Sequence, residues 1–277
     1  MILSIITINR NNALGLEKTM QSVLSQTRAD YEYVVVDGAS TDASVAVIER
    51  LAPAFGDRLK WVTEPDKGIY NAMNKGIGMA SGDYLQFLNS GDTLVSPAVW
   101  DHASRALEDE GYPPMLCGNR IKVYPDGHTV RDRFTAGGPV TFFQFYSSGL
   151  AHQATYIRRS LFEQYGLYDE SLKIVSDWKW FLDVIALKGE RVAYIDFDVA
   201  RFDMTGISQK NMSLHLQERR NVLDAMIPAS ILADYKVRDF ELAQMKRLKR
   251  YPWAYKLVWF LERCLFKWEK WTKPRNK

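Results

Sequence analysis

Apolar and polar positions in the first part of the chain alternate between two periods. Leu3 to Ile8, Tyr31 to Val36, Leu59 to Val62 and Tyr84 to Leu88 are short runs rich in β-branched and aromatic residues, each ended by small or polar ones. Such runs predict buried strands of a parallel sheet. Between them the apolar spacing changes to that of a helix. Leu16, Met20, Val23 and Leu24 make one face, a second helix is predicted from about Ala43 to Leu51 with Asp42 as N-cap, and a third passes through Ala72 and Met73. Four alternations of strand and helix in about ninety residues argue for an α/β fold built from parallel βαβ units.

The pattern then changes. Ile121 to Tyr124, Pro125-Asp126-Gly127 and His128 to Phe134 read as a β-hairpin. Thr135 to Gly149 reads as a glycine- and aromatic-rich loop suited to an acceptor wall. His152 to Ile157 reads as a strand and Leu161 to Tyr165 as a short helix. A longer helix runs from Asp177 to about Lys188, with Trp178, Phe181, Leu182 and Ile185 on one face. Val192 to Phe197 is a last strand, and Ala200 to Ser208 a loop able to close over a ligand. The predicted organisation is a domain over 1–210, divided into halves 1–95 and 96–210, and a helical extension over 211–277.

In open α/β sheets ligands meet the carboxyl ends of the strands. Asp37 stands at the end of the second run, a position that commonly holds a ribose or base. Asn89-Ser90-Gly91-Asp92 follows the fourth. A lone carboxylate there can hold a hard cation such as Mg²⁺ beside substrate phosphates; a plain polar turn is the ordinary alternative. No G-x-G-x-x-G follows the first strand and no G-x-x-x-x-G-K-[ST] occurs, which argues against a dinucleotide cofactor and a P-loop enzyme. Asp177 is either the N-cap of its helix or a general base.

Composition adds a compartment and a charge asymmetry. Two distant cysteines, Cys117 and Cys264, fit a reducing environment and make no metal-type spacing. The first apolar run is too short for a signal peptide, and no stretch is long and apolar enough for a transmembrane helix. Residues 241–277 carry eleven Lys and Arg against three Glu, a balance of +8 in a chain of net +3. The body is therefore acidic and the tail basic.

An ordered series of motifs resembles the family 2 glycosyltransferases of the GT-A fold, over roughly residues 1–210. It comprises Ser4-Ile5-Ile6-Thr7-Ile8-Asn9-Arg10, Gln21 to Thr27, Val36-Asp37-Gly38-Ala39-Ser40-Thr41-Asp42, Ala72-Met73-Asn74-Lys75-Gly76, Ala80 to Tyr84, Leu88-Asn89-Ser90-Gly91-Asp92, Gly166 to Glu170, and Ser176-Asp177-Trp178. With Glu64-Pro65-Asp66-Lys67-Gly68-Ile69-Tyr70 the set looks most like enzymes of bacterial capsule, colanic-acid and O-antigen assembly. The resemblance implies an inverting transferase acting on a UDP- or GDP-linked sugar. Its nucleotide-sugar site would use Thr7, Asn9, Arg10, Asp37, Asp66, Lys67, Lys75, Asn89, Ser90 and Gly91. Asp92 would bind Mg²⁺ or Mn²⁺, Asp177 would be the base, and His152, Gln153, Trp178 and Arg201 would meet the acceptor or diphosphate. Two departures stand out: Gly38 follows Asp37 where the family often has a second acid, and Asn89 and Gly91 replace the acids usual beside Asp92. They motivate an alternative, a catalytically weak sugar-nucleotide- or glycan-binding subunit of an assembly complex. For Arg201 a salt bridge to a nearby acid is an equal reading; for His152 the alternative is a side chain satisfied beside its strand, and the polar Gln153 that follows favours function.

The tail interleaves Trp253, Tyr255, Trp259, Phe260, Phe266, Trp268 and Trp271 with Lys and Arg. A helix of this kind lies in an anionic membrane interface or packs on the domain or on a second copy in a homodimer. No nucleic-acid module is present. The expected partners are thus a nucleotide sugar, a glycan or polyprenyl-linked acceptor and the inner membrane; the expected location is cytoplasmic, peripheral on that membrane's cytoplasmic face.

Overall fold

A computed structural model describes residues 1–134, 140–206 and 211–272, without the side chains of 269–272. Two compact units divide the chain, Met1–Val222 and Leu223–Lys277.

The first unit is built on a nine-stranded sheet. Strands β1 (Leu3–Asn9), β2 (Tyr31–Asp37), β3 (Leu59–Thr63) and β4 (Tyr84–Phe87) are all parallel, in the order β3-β2-β1-β4. β1, β2 and β4 are almost wholly buried, which is why their sequences are near-continuous apolar runs rather than alternating ones. The connecting helices are α1 (Ala13–Leu24), α2 (Ser44–Phe55) and α3 (Ile69–Met79). Asn12 caps α1 by accepting the Gly15 N–H at 3.1 Å. Asp42 accepts the Ser44 N–H at 3.0 Å, just ahead of α2.

Beyond β4 come β5 (Thr93–Leu94), α4 (Val99–Asp109), β6 (Met115–Val123), β7 (Thr129–Asp132), α5 (Phe142–Ser147), β8 (Thr155–Arg158), α6 (Ser160–Tyr165), α7 (Ser176–Phe181) and β9 (Val192–Asp203). The sheet continues β4-β8-β6-β9-β5, and β7 forms the expected hairpin with β6. β8 is antiparallel to both β4 and β6, while β6 and β9 are parallel. β9 therefore runs in the same direction as β1–β4, and its carboxyl end reaches the same edge of the sheet.

Successive residues of a strand face opposite ways. Leu3 and Ile5 join the core that α1, α2 and α4 cover with Leu16, Met20, Ile48 and Trp100. Ile6 faces α3, where a Cβ on Gly76 would stand 2.4 Å from the Ile6 side chain; only glycine lets helix and strand approach so closely. On that face an aromatic cluster of Phe87, Phe162, Tyr168 and Trp180, with Phe162 and Trp180 stacked at 4.5 Å, ties α6 and α7 to β4. α7 then unwinds into a π-helical stretch, Leu182–Leu187, closed by Lys188 N–H on Asp183 O at 2.9 Å.

Four expectations change. The segment 135–149 carries α5, with 135–139 outside the described residues. His152–Ala154 is a single 3₁₀ turn, and the strand begins at Thr155. β9 extends through Asp203, so Ala200 to Asp203 is strand, held between β6 and β5; residues 207–208 of the expected closing loop lie outside the described residues. The first unit runs past residue 210, because the helix α8 (Met212–Met226) begins by serving it. Glu218 accepts the N–H groups of Lys173 and Ile174 at 2.8 and 2.9 Å.

The second unit contains α9 (Ala229–Lys249) and α10 (Pro252–Thr272). No helix among the described residues is long and apolar enough to cross a membrane.

Candidate active site

The carboxyl ends of β1, β2 and β3 meet in register, with Asn9 beside Asp37 and Asp37 beside Thr63. Asp37 is wholly buried. Its Oδ1 accepts from Asn9 Nδ2 at 2.8 Å and Ser40 Oγ at 2.5 Å; its Oδ2 accepts from Ser40 N at 2.9 Å and Thr63 Oγ1 at 2.7 Å. Burial works to raise this carboxyl's pKa, but the donors outweigh it and hold it below the ordinary value. Asp66 completes this pole. A Cβ at position 38 would stand 2.1 Å from Asp66 Oδ2, so the carboxylate from the β3–α3 loop occupies the space beside Gly38. Arg10 lies 3.7 Å from its other oxygen.

The second pole forms where β4, α3, α7 and β9 converge. After β4 the chain continues along β1, with Leu88 and Ser90 N–H groups on the Ile6 and Ile8 carbonyls. It then turns at Gly91, whose φ of +106° favours glycine. Asp92 is 4% exposed, and among the described residues one backbone N–H, that of Asp203, donates to it, at 3.0 Å. Burial pushes its carboxyl up to about 7, with the Asp203 carboxylate adding to the effect and the Asp203 N–H, His152 and Arg120 opposing it.

Asp177 lies in the first turn of α7. Tyr70, from α3, donates its hydroxyl to Asp177 Oδ1 at 2.7 Å, and His152 Nδ1 lies 2.7 Å from Oδ2. Against an ionised carboxylate that nitrogen carries the proton and donates. The other ring nitrogen, Nε2, is 3.5 Å from Asn89 Nδ2. A continuous array thus joins Tyr70, Asp177, His152 and Asn89, and ends three residues from Asp92. Burial raises the Asp177 carboxyl, but the hydrogen bond and charge of His152, with Tyr70, keep it below the usual range. The Tyr70 hydroxyl is pushed well up by burial and by the Asp177 charge.

The other residues singled out from the sequence divide. Ser90 stays at the site's edge, its carbonyl accepting from Asn12 at 3.1 Å, and Gly91 donates its N–H to Thr19 at 3.0 Å. Lys67 is exposed at the start of α3. The Thr7 side chain turns inward, donating to Leu88 O at 2.6 Å and accepting from Tyr33 at 2.9 Å. Lys75 reaches back to Glu64 at 2.7 Å and to the Pro65 carbonyl at 2.9 Å, which neutralises it. Gln153 is 2% exposed, and its carbonyl accepts from Gln86 at 2.8 Å. Trp178 is buried: its indole donates to Phe145 O at 3.1 Å, and the Arg219 guanidinium covers its ring at 4.3 Å. It supports α7 and offers no open stacking face. Arg201 is exposed on β9, fixed in a strand.

None of Tyr70, Ser40, Thr63, Asp203 and Arg120 was assigned a site role from the sequence, although Tyr70 and Ser40 lie within the motifs of the resemblance. Asp203 carries a usable signal, an acid at the carboxyl end of a strand, like Asp37. The motif that ends in Tyr70 gives no sign of its partner, which lies 107 residues away.

Among the described residues no group of three His, Cys, Asp or Glu could by itself hold a metal ion. Asp92 nevertheless fits a hard cation. It is a buried carboxylate with one backbone donor and a second acid beside it, and such ions are commonly bound through one or two protein carboxylates plus substrate phosphates.

Comparison with known proteins bears on the family and the fold. Residues 4–166 match the model of Glycosyl transferase family 2. An uncharacterized glycosyltransferase of Mycobacterium tuberculosis (strain CDC 1551 / Oshkosh) is 36% identical over 207 residues, covering 74% of this chain and 76% of its own length. A PGL/p-HBAD biosynthesis glycosyltransferase of Mycobacterium bovis (strain BCG / Pasteur 1173P2) is 30% identical over 204 residues, 73% of this chain and 77% of its own. Among solved structures, S. aureus TarS 1-349 in complex with UDP-GlcNAc superposes with a TM-score of 0.66 at 19% identity, covering 87% of this chain and 73% of that one. A mannosyltransferase of Pyrobaculum calidifontis in complex with GDP-Man and Mn²⁺ gives 0.53 at 18%, covering 71% and 55%. At these identities the structural likeness is one of fold.

Proposed function

The chain belongs to glycosyl transferase family 2, is a glycosyltransferase of GT-A fold, and, we propose, transfers a sugar with inversion from a nucleoside-diphosphate donor, with Asp177 as the general base. The observation that carries this reading is the Tyr70–Asp177–His152 array. It holds a buried carboxylate ionised at the edge of the sheet where Asp92 and Asp203 also end.

The chain's own groups divide the work. Asn9, Arg10, Asp37 and Asp66 receive the nucleoside; Asp37, saturated by donors, acts chiefly by fixing Asn9 and Ser40. Asp92, with Asp203 beside it, would hold Mg²⁺ or Mn²⁺. When bound, the cation neutralises charge on the departing nucleoside diphosphate. Asp177 takes the proton of the acceptor hydroxyl while that oxygen bonds to the anomeric carbon and the bond to the diphosphate breaks on the opposite face. His152 and Tyr70 aim the carboxylate and keep it deprotonated until then. A UDP-sugar donor is supported by the UDP-GlcNAc held by the TarS structure.

The acceptor in this reading is a glycan or a lipid-linked sugar of bacterial surface polysaccharide assembly. A lipid-linked acceptor places the enzyme at the cytoplasmic face of the inner membrane, in peripheral contact through residues 241–277.

The test is donor turnover together with thermal shift by UDP and GDP, with and without Mn²⁺. The proposal expects a metal-dependent shift with one nucleotide and loss of turnover in Asp177→Asn. Wild-type turnover in that variant removes Asp177 from the mechanism. Nucleotide binding without any turnover in the native chain favours a binding subunit instead.

A further inference from the structure

Helix α10 carries a pattern the catalytic unit does not use. At about 100° per residue, Phe260, Trp253, Leu257, Leu261, Val258 and Leu265 fall within one arc of about 160°. Lys256, Arg263 and Lys267 form a narrow stripe bordering that arc on the Phe260 side. The apolar side chains are open to solvent: Trp253 is 71% exposed, Phe260 59% and Leu265 58%. Trp259, on the far side of the basic stripe, has the Arg263 guanidinium over its ring at 4.5 Å. Just upstream, Lys246, Arg247 and Lys249 close the last turn of α9.

We propose that this face of α10 docks on an anionic lipid surface. Three features select that occupant. The apolar arc is wide, about one and a half times the two-in-seven seam through which one helix pairs with a copy of itself. It contains tryptophan and phenylalanine, whose rings suit the boundary between headgroups and acyl chains. The border on the Phe260 side is basic, Glu262 lies beyond the opposite border, and the local balance over residues 241–277 is +8. The surplus of positive charge, on the stripe and at the end of α9, is what anionic headgroups attract. With about 1.5 Å of rise per residue the helix lies some 30 Å along the surface, buried to the depth of its side chains. This sharpens the membrane contact proposed above and needs nothing of the sugar chemistry, so it can fail or stand independently of the transferase reading.

The test is flotation of the full-length protein with vesicles of phosphatidylcholine alone or with about 30% phosphatidylglycerol, without donor or acceptor. Wild type is expected to float with the anionic vesicles, at least about tenfold more than with neutral ones, and less as salt rises. Leu257→Glu with Leu261→Glu should abolish binding to both, and Lys256→Glu with Arg263→Glu should remove the anionic preference while leaving the apolar arc intact. Circular dichroism and thermal unfolding establish that both variants are folded. The proposal is overturned if wild type floats with neither vesicle, or if the leucine variant floats as wild type does. A dimer seen by light scattering that the leucine variant loses, with no vesicle binding, would overturn it too and assign the face to a second copy.

Discussion

The two poles of the candidate site use the same side chain in opposite ways. At the β1–β3 pole, Asp37 is buried and receives four hydrogen bonds, so its demand for positive partial charge is met within the protein. At the β4–β9 pole, Asp92 is buried with one backbone donor and a second carboxylate nearby, and burial drives its pKa up to about 7. Asp177 stands between these cases, held by Tyr70 and His152. A buried carboxylate that is fully satisfied is a strut; one left short of donors is a place for a cation or a proton. The difference separates scaffold from chemistry more clearly than residue type does.

Substitutions can break or sharpen that contrast. The largest effect is expected for Asp177→Asn, a loss of about 10²-fold or more in turnover, with the nucleotide-induced thermal shift retained. Next is Asp37→Asn. Its amide nitrogen would face the donors Ser40 and Thr63, costing about 1–3 kcal/mol in denaturant unfolding.

Asp92→Asn should do the reverse without metal. The raised carboxyl of Asp92 lowers stability as pH climbs from its ordinary value near 3.8 towards about 7. The amide removes that penalty, so the variant should unfold at a higher temperature above pH 7 while losing Mn²⁺-dependent stabilisation. Destabilisation like that of Asp37→Asn would erase the distinction between strut and cation site.

His152→Ala tests the intermediate case. Loss of its hydrogen bond lets burial raise the Asp177 carboxyl. A base must be ionised, so activity should fall first on the acid side, moving the acid limb of the kcat–pH profile upward. An unmoved limb would separate His152 from the base. The smallest change, Thr63→Val, removes one of Asp37's four donors and should cost about 1 kcal/mol with turnover unchanged.

The parallel half was readable because its strands are buried on both faces and spell themselves as apolar runs, and because Asn9 and Asp37 end those runs. The partners of individual side chains, in either half, were less so. Thr7 looked available at the end of its run, but side-chain alternation turns it towards Tyr33 and the Leu88 carbonyl. Lys75 and Trp178 looked like ligand contacts; Glu64 neutralises one, and Arg219 covers the other. Arg201 looked like part of a loop because Ala200-Arg201-Phe202-Asp203 lacks a long apolar run, yet pairing with β6 and β5 on both sides holds it as strand.

The sequence by itself determined the local elements of the parallel half, the acids at the ends of β2 and β4, and the basic aromatic helix, because these depend on periodicity and on neighbours a few positions away. Only the tertiary structure decided which carboxylates are satisfied and which are short of donors. That depends on Tyr70 meeting Asp177 across 107 positions, Asp203 meeting Asp92 across 111, and Asp66 filling the space beside Gly38. The electrostatics of a buried acid are set by what surrounds it in space, and no periodicity along the chain carries that information.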